Sequence, residues 1–136
     1  MLGEKIGEEQ GRVTTRRVLP GDDYRYIKLE ISFETQVTLF GVSGQNIGTY
    51  TVFERIPGQL YGEGRGVIMT QDGEGAIWNG HGIGRGTPDG GIAFAASIAI
   101  QTDSSKLARL NNVLALVEHT TDAQGAAKST LWEWKV

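Results

Sequence analysis

Between Ile27 and Leu39 the chain alternates with a period of two. Ile27, Leu29, Ile31, Phe33, Val37 and Leu39 share one parity, broken only by Thr35, while Lys28, Glu30, Ser32, Glu34, Gln36 and Thr38 fill the other. An α-helix would scatter these apolar groups around its circumference. A pleated strand sends them all to one face. This segment is therefore a half-buried β-strand, or two strands joined by a bend, and it needs further strands to cover its apolar side.

The rest of the chain supplies them. Residues 12–19 read as a strand, followed by a turn signal at Pro20-Gly21-Asp22-Asp23. Gly41 to Gly48 reads as a glycine-punctuated connection. Residues 49–56 are rich in β-branched and aromatic types and form the next strand. Pro57-Gly58, Asp72-Gly73 and Asp89-Gly90 mark turns around strands at 60–70, 75–85 and 92–101. One short helical segment follows, with Ser104-Ser105 as N-cap and Leu107 and Leu110 on one side. Strands at 113–120 and 130–136 complete the chain, and residues 1–11 read as a loose lead-in to a single domain covering 1–136. The expected fold is all-β: a closed antiparallel up-and-down barrel of about eight strands, because closure removes exposed edges. Twenty glycines in 136 residues favour a barrel over a sandwich, since glycine in a strand permits sharp bending and close approach.

Composition excludes several functions. Without cysteine there is no disulfide framework, thiol nucleophile or thiolate metal site. Charge is spread evenly along the chain and nets −3, so a nucleic-acid footprint is not expected. No apolar run approaches the ~20 residues of a membrane helix, and the charged first ten residues carry no signal-peptide core. The expectation is a cytoplasmic protein without cofactor, nucleic-acid partner or membrane partner. A zinc site would require His81, His119 and a carboxylate to converge, which no spacing predicts, so no metal is expected.

Two glycine ladders stand out: Gly62, Gly64 and Gly66, then Gly80, Gly82, Gly84 and Gly86. Their spacing is not that of a phosphate loop, and no helix follows to hold a phosphate. A tight turn at Asp72-Gly73 would pair Gly62, Gly64 and Gly66 with Ile83, His81 and Asn79, each glycine leaving room for a larger partner. A tight turn at Asp89-Gly90 would place Phe94, Ile98 and Ile100 beside Arg85, His81 and Asn79. In that register one face carries Ile68, Ile77, Ile83, Phe94, Ile98 and Ile100, with the polar row Asn79, His81 and Arg85 among them. That face is expected to line the barrel. The candidate ligand site is therefore Asn79, His81 and Arg85 as polar anchors with Phe94 and Ile98 as apolar wall, arginine holding a carboxylate and histidine able to move a proton. Trp132 and Trp134 share one face of the last strand and are expected to close the core.

The stretch Leu60-Tyr-Gly-Glu-Gly-Arg-Gly-Val-Ile-Met-Thr70, then Trp78-Asn-Gly-His-Gly-Ile-Gly-Arg85, Lys106-Leu-Ala-Arg-Leu-Asn111 and Leu131-Trp-Glu-Trp-Lys135, resembles a group of small uncharacterised bacterial proteins. Their strand pattern is similar to the allene oxide cyclase-like and calycin-like barrels. The resemblance implies the barrel architecture and a lipophilic cavity, and assigns no functional residue. Three functions follow as expectations. The first is binding of a small, partly apolar molecule inside the barrel. The second is a cofactor-free isomerase or cyclase with His81 as acid or base. The third is a filled barrel acting through self-association, as a homo-oligomer. An interior cavity of ~300 Å³ or more, open to solvent, would support the first two, and a filled interior the third.

Overall fold

A computed structural model describes residues 2–21 and 27–136. Its strands are β1 (Leu2–Leu19), β2 (Lys28–Leu39), β3 (Val42–Ile56), β4 (Gln59–Thr70), β5 (Gly75–Gly86), β6 (Ile92–Thr102), β7 (Val113–Thr121) and β8 (Ala126–Lys135), with a single 3₁₀ turn at Ala108–Asn112 between β6 and β7. Each strand pairs antiparallel with the next, and β8 pairs with β1, so the sheet closes into an eight-stranded up-and-down barrel. Among the described residues no helix is long and apolar enough to cross a membrane.

Three expectations need correction. Residues 2–11 are not a lead-in: they are the first half of β1, paired with both β2 and β8. Gly41 to Gly48 is mostly strand, because Phe40 and Gly41 (φ 51° and 77°) complete a two-residue turn that sends the chain straight back at Val42. Ser104 does not cap a helix; its hydroxyl bonds the Glu74 carboxylate. The turn signal at Asp22-Asp23 lies outside the described residues.

The interior is stacked in layers. The end capped by the 3₁₀ turn is packed with Val37, Leu39, Ile68, Ile100 and Leu131, and Leu107 and Leu110 plug it at 0% exposure. Burying each such leucine contributes roughly 1.5–3 kcal/mol. The other end is packed by Ile31, Val52 and Phe94, with Leu29, Leu60 and Ile92 around them. Between the two lies a polar belt. Glu9 accepts from Thr35 Oγ1 (3.0 Å) and Asn46 Nδ2 (2.9 Å), and Asn46 Oδ1 accepts from Trp78 Nε1 (2.8 Å). His119 is bonded through both ring nitrogens, to Ser129 Oγ (2.8 Å) and Thr121 Oγ1 (3.0 Å). These belt groups are thus paired with one another, which is what makes their burial tolerable; among the described residues the Tyr50 hydroxyl beside them is buried without a partner.

β8 turns Ala127, Ser129, Leu131 and Glu133 inward, so Trp132 and Trp134 face outward and do not close the core. Glu133 tolerates 1% exposure because Arg109 (2.8 Å) and Lys135 (3.4 Å) pair with it at the barrel end. Burial pushes its carboxyl up, but the Arg109 hydrogen bond and charge, with Lys135, outweigh burial and hold it below the ordinary range.

Candidate functional site

The placement of the anchors turns on one residue of register. The turn after β4 is not the two-residue Asp-Gly turn. Thr70 and Glu74 pair across a three-residue loop, Gln71-Asp72-Gly73, with Gly73 at φ 84°. The same arrangement recurs at Pro88-Asp89-Gly90, closed by Thr87 and Gly91, with Gly90 at φ 87°. This is a turn followed by a left-handed glycine, the usual three-residue hairpin loop. In each, a threonine hydroxyl accepts from the backbone N–H four residues on, at 3.0 Å, and also bonds the loop aspartate.

The extra loop residue shifts both pairings by one. Gly62, Gly64 and Gly66 lie opposite Gly82, Gly80 and Trp78, not Ile83, His81 and Asn79. Phe94, Ile98 and Ile100 lie opposite Gly84, Gly80 and Trp78, not Arg85, His81 and Asn79. A one-residue slip reverses which side chains share a face. Phe94 and Ile98 do point into the barrel, but Asn79, His81 and Arg85 are exposed on its outer wall. Ile77 and Ile83 are outside with them, at 53% and 42% exposure. The proposed interior anchors are therefore corrected to exterior positions.

Inside, aromatic rings occupy the space that the glycines leave. The Trp78 indole lies flat against Gly48 and Gly66, and the Phe94 ring against Gly62 and Gly84. What remains is a chamber of about 80 Å³ bordered by Phe33, Tyr50, Trp78, Phe94, Ile98 and His119. That is well short of the several hundred Å³ of an ordinary ligand pocket. Burial pushes the Tyr50 phenol up and the His119 imidazolium down, with the Glu9 charge opposing only in part. His119 is thus held neutral, with both nitrogens committed to hydroxyls.

The larger concavity is outside. The sequence Ala93-Phe-Ala-Ala-Ser-Ile-Ala-Ile100 alternates, with Phe94, Ile98 and Ile100 inward and Ala93, Ala95, Ser97 and Ala99 outward. A strand whose outward side chains are all small is a trough between its neighbours. Three rows cross it: His81, Ser97, Leu116 and Trp132; Ile83, Ala95, Glu118 and Thr130; Arg85, Ala93, Thr120 and Lys128. The trough divides into two adjoining hollows that share Ile83, Ala95 and Glu118. One, of about 650 Å³, lies toward Tyr61, Leu116 and Trp132; the other, of about 610 Å³, lies toward Arg85 and Lys128.

Its rim is polar and partly preset. The Tyr61 hydroxyl donates to Glu63 Oε1 (2.8 Å) and lies 3.2 Å from His81 Nδ1. With the phenol proton given to Glu63, His81 donates through Nδ1, leaving Nε2 as an acceptor. The Glu63 hydrogen bond, then desolvation and the Glu63 charge, raise the Tyr61 phenol above its usual range. Arg55 lies 4.3 Å over the Tyr61 ring, and Trp132 Nε1 donates to Glu118 Oε1 (3.1 Å). Tyr61, Leu116, Glu118 and Trp132 were not among the expected site residues. The small-out, large-in alternation of β6 was the signal that could have found them. Among the described residues no group of three or more His, Asp or Glu could hold a metal ion.

No protein-family model and no curated protein sequence matches the chain. Solved structures do. A protein of unknown function from Clostridium acetobutylicum superposes with a TM-score of 0.83 at 15% identity, covering 98% of this chain and 97% of that one. A β-barrel-like protein from Acinetobacter baumannii gives 0.79 at 12% identity, with 98% and 96% covered. An enzyme from Penicillium herquei gives 0.71 at 16% identity, with 96% and 91% covered. At these identities the likeness shows the fold: the chain is a small closed β-barrel of a kind that recurs across bacteria and a fungus.

Proposed function

We propose that this protein binds a small, partly apolar molecule, and that it does so in the outer trough along β6, not inside the barrel. The observation that carries this reading is the contrast in space: about 80 Å³ within and about 650 Å³ in one hollow of the trough. The trough combines an alanine floor with a few convergent polar groups, the usual composition of a ligand site. His81 and Arg85 keep the anchoring roles their chemistry suggests, on the opposite side of the wall, and Asn79 lies farther along the same face. A cytoplasmic setting is consistent with this reading. The filled interior goes against the lipophilic cavity that a resemblance to allene oxide cyclase-like and calycin-like barrels implies, and it favours homo-oligomer formation beside ligand binding.

The test is a fragment screen read by two-dimensional NMR on the wild type and on Ala95→Trp, which fills the trough from an exposed position. Hits should shift resonances of Ala95, Ser97, Leu116 and the Trp132 indole, and Ala95→Trp should abolish them. Shifts confined to Phe33, Ile98 and His119 would return the site to the interior. The second reading, a cofactor-free isomerase, is favoured by the Glu63–Tyr61–His81 chain on the trough rim, and the fungal enzyme with this fold is consistent with it. Under it, His81→Ala abolishes turnover and leaves binding nearly intact; under the first reading the same variant only weakens binding.

A further inference from the structure

We infer that the trough selects a planar aromatic acid, its ring on the Ala95 floor and its anionic group toward Arg85 and Lys128. The inference rests on the trough being a ligand site. Shape supplies the ring. The flanking ridges on β5 and β7 are two strand spacings apart, roughly 10 Å, and the floor between them is methyl groups and one hydroxymethyl. That leaves a flat slot about one aromatic ring wide, with Ile83 on one side and Leu116 and the Trp132 indole on the other.

Charge supplies the acid. Arg55, Arg85 and Lys128 border the two hollows against one carboxylate, Glu118, in a protein whose net charge is −3. Glu118 already accepts from Trp132, and Glu63, just beyond the rim, already accepts from Tyr61. Arg55 is laid over the Tyr61 ring and bonded to Gln59. Among the described residues Arg85 and Lys128 carry no ion pair. They stand at the two ends of the row Arg85, Ala93, Thr120 and Lys128 and both line the same hollow, which makes that end of the trough the place for an anion. A cationic ligand would meet three like charges to reach one carboxylate.

The experiment titrates the intact protein with 2-naphthoate and with its neutral counterpart 2-naphthylmethanol, following the Ala95 amide and the Trp132 indole N–H by NMR. At low ionic strength the acid should bind about tenfold tighter than the alcohol. The gap should narrow several-fold in 0.5 M salt, since exposed charges are screened. The double variant Arg85→Gln, Lys128→Gln should erase the gap by weakening the acid alone, and Ala95→Trp should block both probes. If the alcohol binds as tightly as the acid, or the double variant keeps the gap, the acid is overturned while the trough stands. If neither probe moves a trough resonance, the site itself falls.

Discussion

Gly66→Ala isolates what the glycine ladder does. A Cβ at Gly66 would lie 2.5 Å from Trp78 Cε2 and 2.6 Å from Cζ2, distances that real contacts do not reach. The indole has little room to yield. The ring packs at 6.3 Å, centroid to centroid, on Phe33, the same edge also lies over Gly48, and its far edge lies over Gly64. Forcing it outward breaks the 2.8 Å bond from Nε1 to Asn46 Oδ1 and leaves a buried acceptor beside the Glu9 network. Overpacking costs about 1–3 kcal/mol, and an unmade buried hydrogen bond about 1–3 kcal/mol. Replacing a strand glycine returns roughly 0.5–1 kcal/mol. The net loss should be about 1–5 kcal/mol, the middle of that range being a fall in Tm of roughly 10 °C for a domain of this size. Urea unfolding followed by tryptophan fluorescence and circular dichroism measures it. Gly86→Ala is the control, because its Cβ would meet nothing nearer than 3.9 Å; it should leave stability unchanged or raise it by up to about 1 kcal/mol. In a Trp78→Phe background the Gly66→Ala cost should drop below about 1 kcal/mol, the clash partner being smaller. Equal costs for the two glycines, or an unchanged cost without the indole, would refute the reasoning.

Other outcomes follow from the same packing. Because His119 is held below its ordinary 6.5 by burial, the unfolded chain binds the proton first, so stability should be complete above about pH 6.5 and fall as pH drops below it; His119→Gln should flatten that slope in pH-dependent unfolding. Glu133 is held below its ordinary 4.5, so its contribution is present above that value and lost as pH falls through the lower folded one. Arg109→Met should strand the carboxylate, move acid unfolding to higher pH and lower the Tm, whereas the same substitution in a Glu133→Gln background should do much less. Phe94→Ala should cost about 3–5 kcal/mol and enlarge the chamber enough for xenon or benzene to bind there, as NMR would report; tight wild-type binding of benzene would contradict the filled interior.

The strands themselves were legible because alternation is a local property. The period of two over 27–39 and the turn glycines place five of the eight strands to within a residue, while β3 and β8 are longer than 49–56 and 130–136; closure follows from the number of strands and the need to cover their edges. The first half of β1 is hidden in the sequence because Gly3, Gly7 and Gly11 look like loop. In the barrel these glycines sit where Glu133, Leu39 and the β2 backbone pass too close for a side chain. Such close approach is set by a strand far away in sequence, so no local reading could supply it.

The faces of β5 are another matter. Ile77, Asn79, His81, Ile83 and Arg85 share a parity, and two-residue turns at Asp72-Gly73 and Asp89-Gly90 would put them inside with Phe94, Ile98 and Ile100. Loop length decided otherwise. A single residue in the Thr-x-Asp-Gly turns reversed the assignment, and the repeat of that tetrapeptide at 70–73 and 87–90 was a usable sign of the longer loop. Antiparallel strands in a closed sheet thus follow from the order of residues, because pleat and turn chemistry act within a few positions. Which wall faces water is settled by packing across the barrel. That choice depends on whether Trp78 and Phe94 can lie over the opposing glycines, a packing question that spans four strands at once.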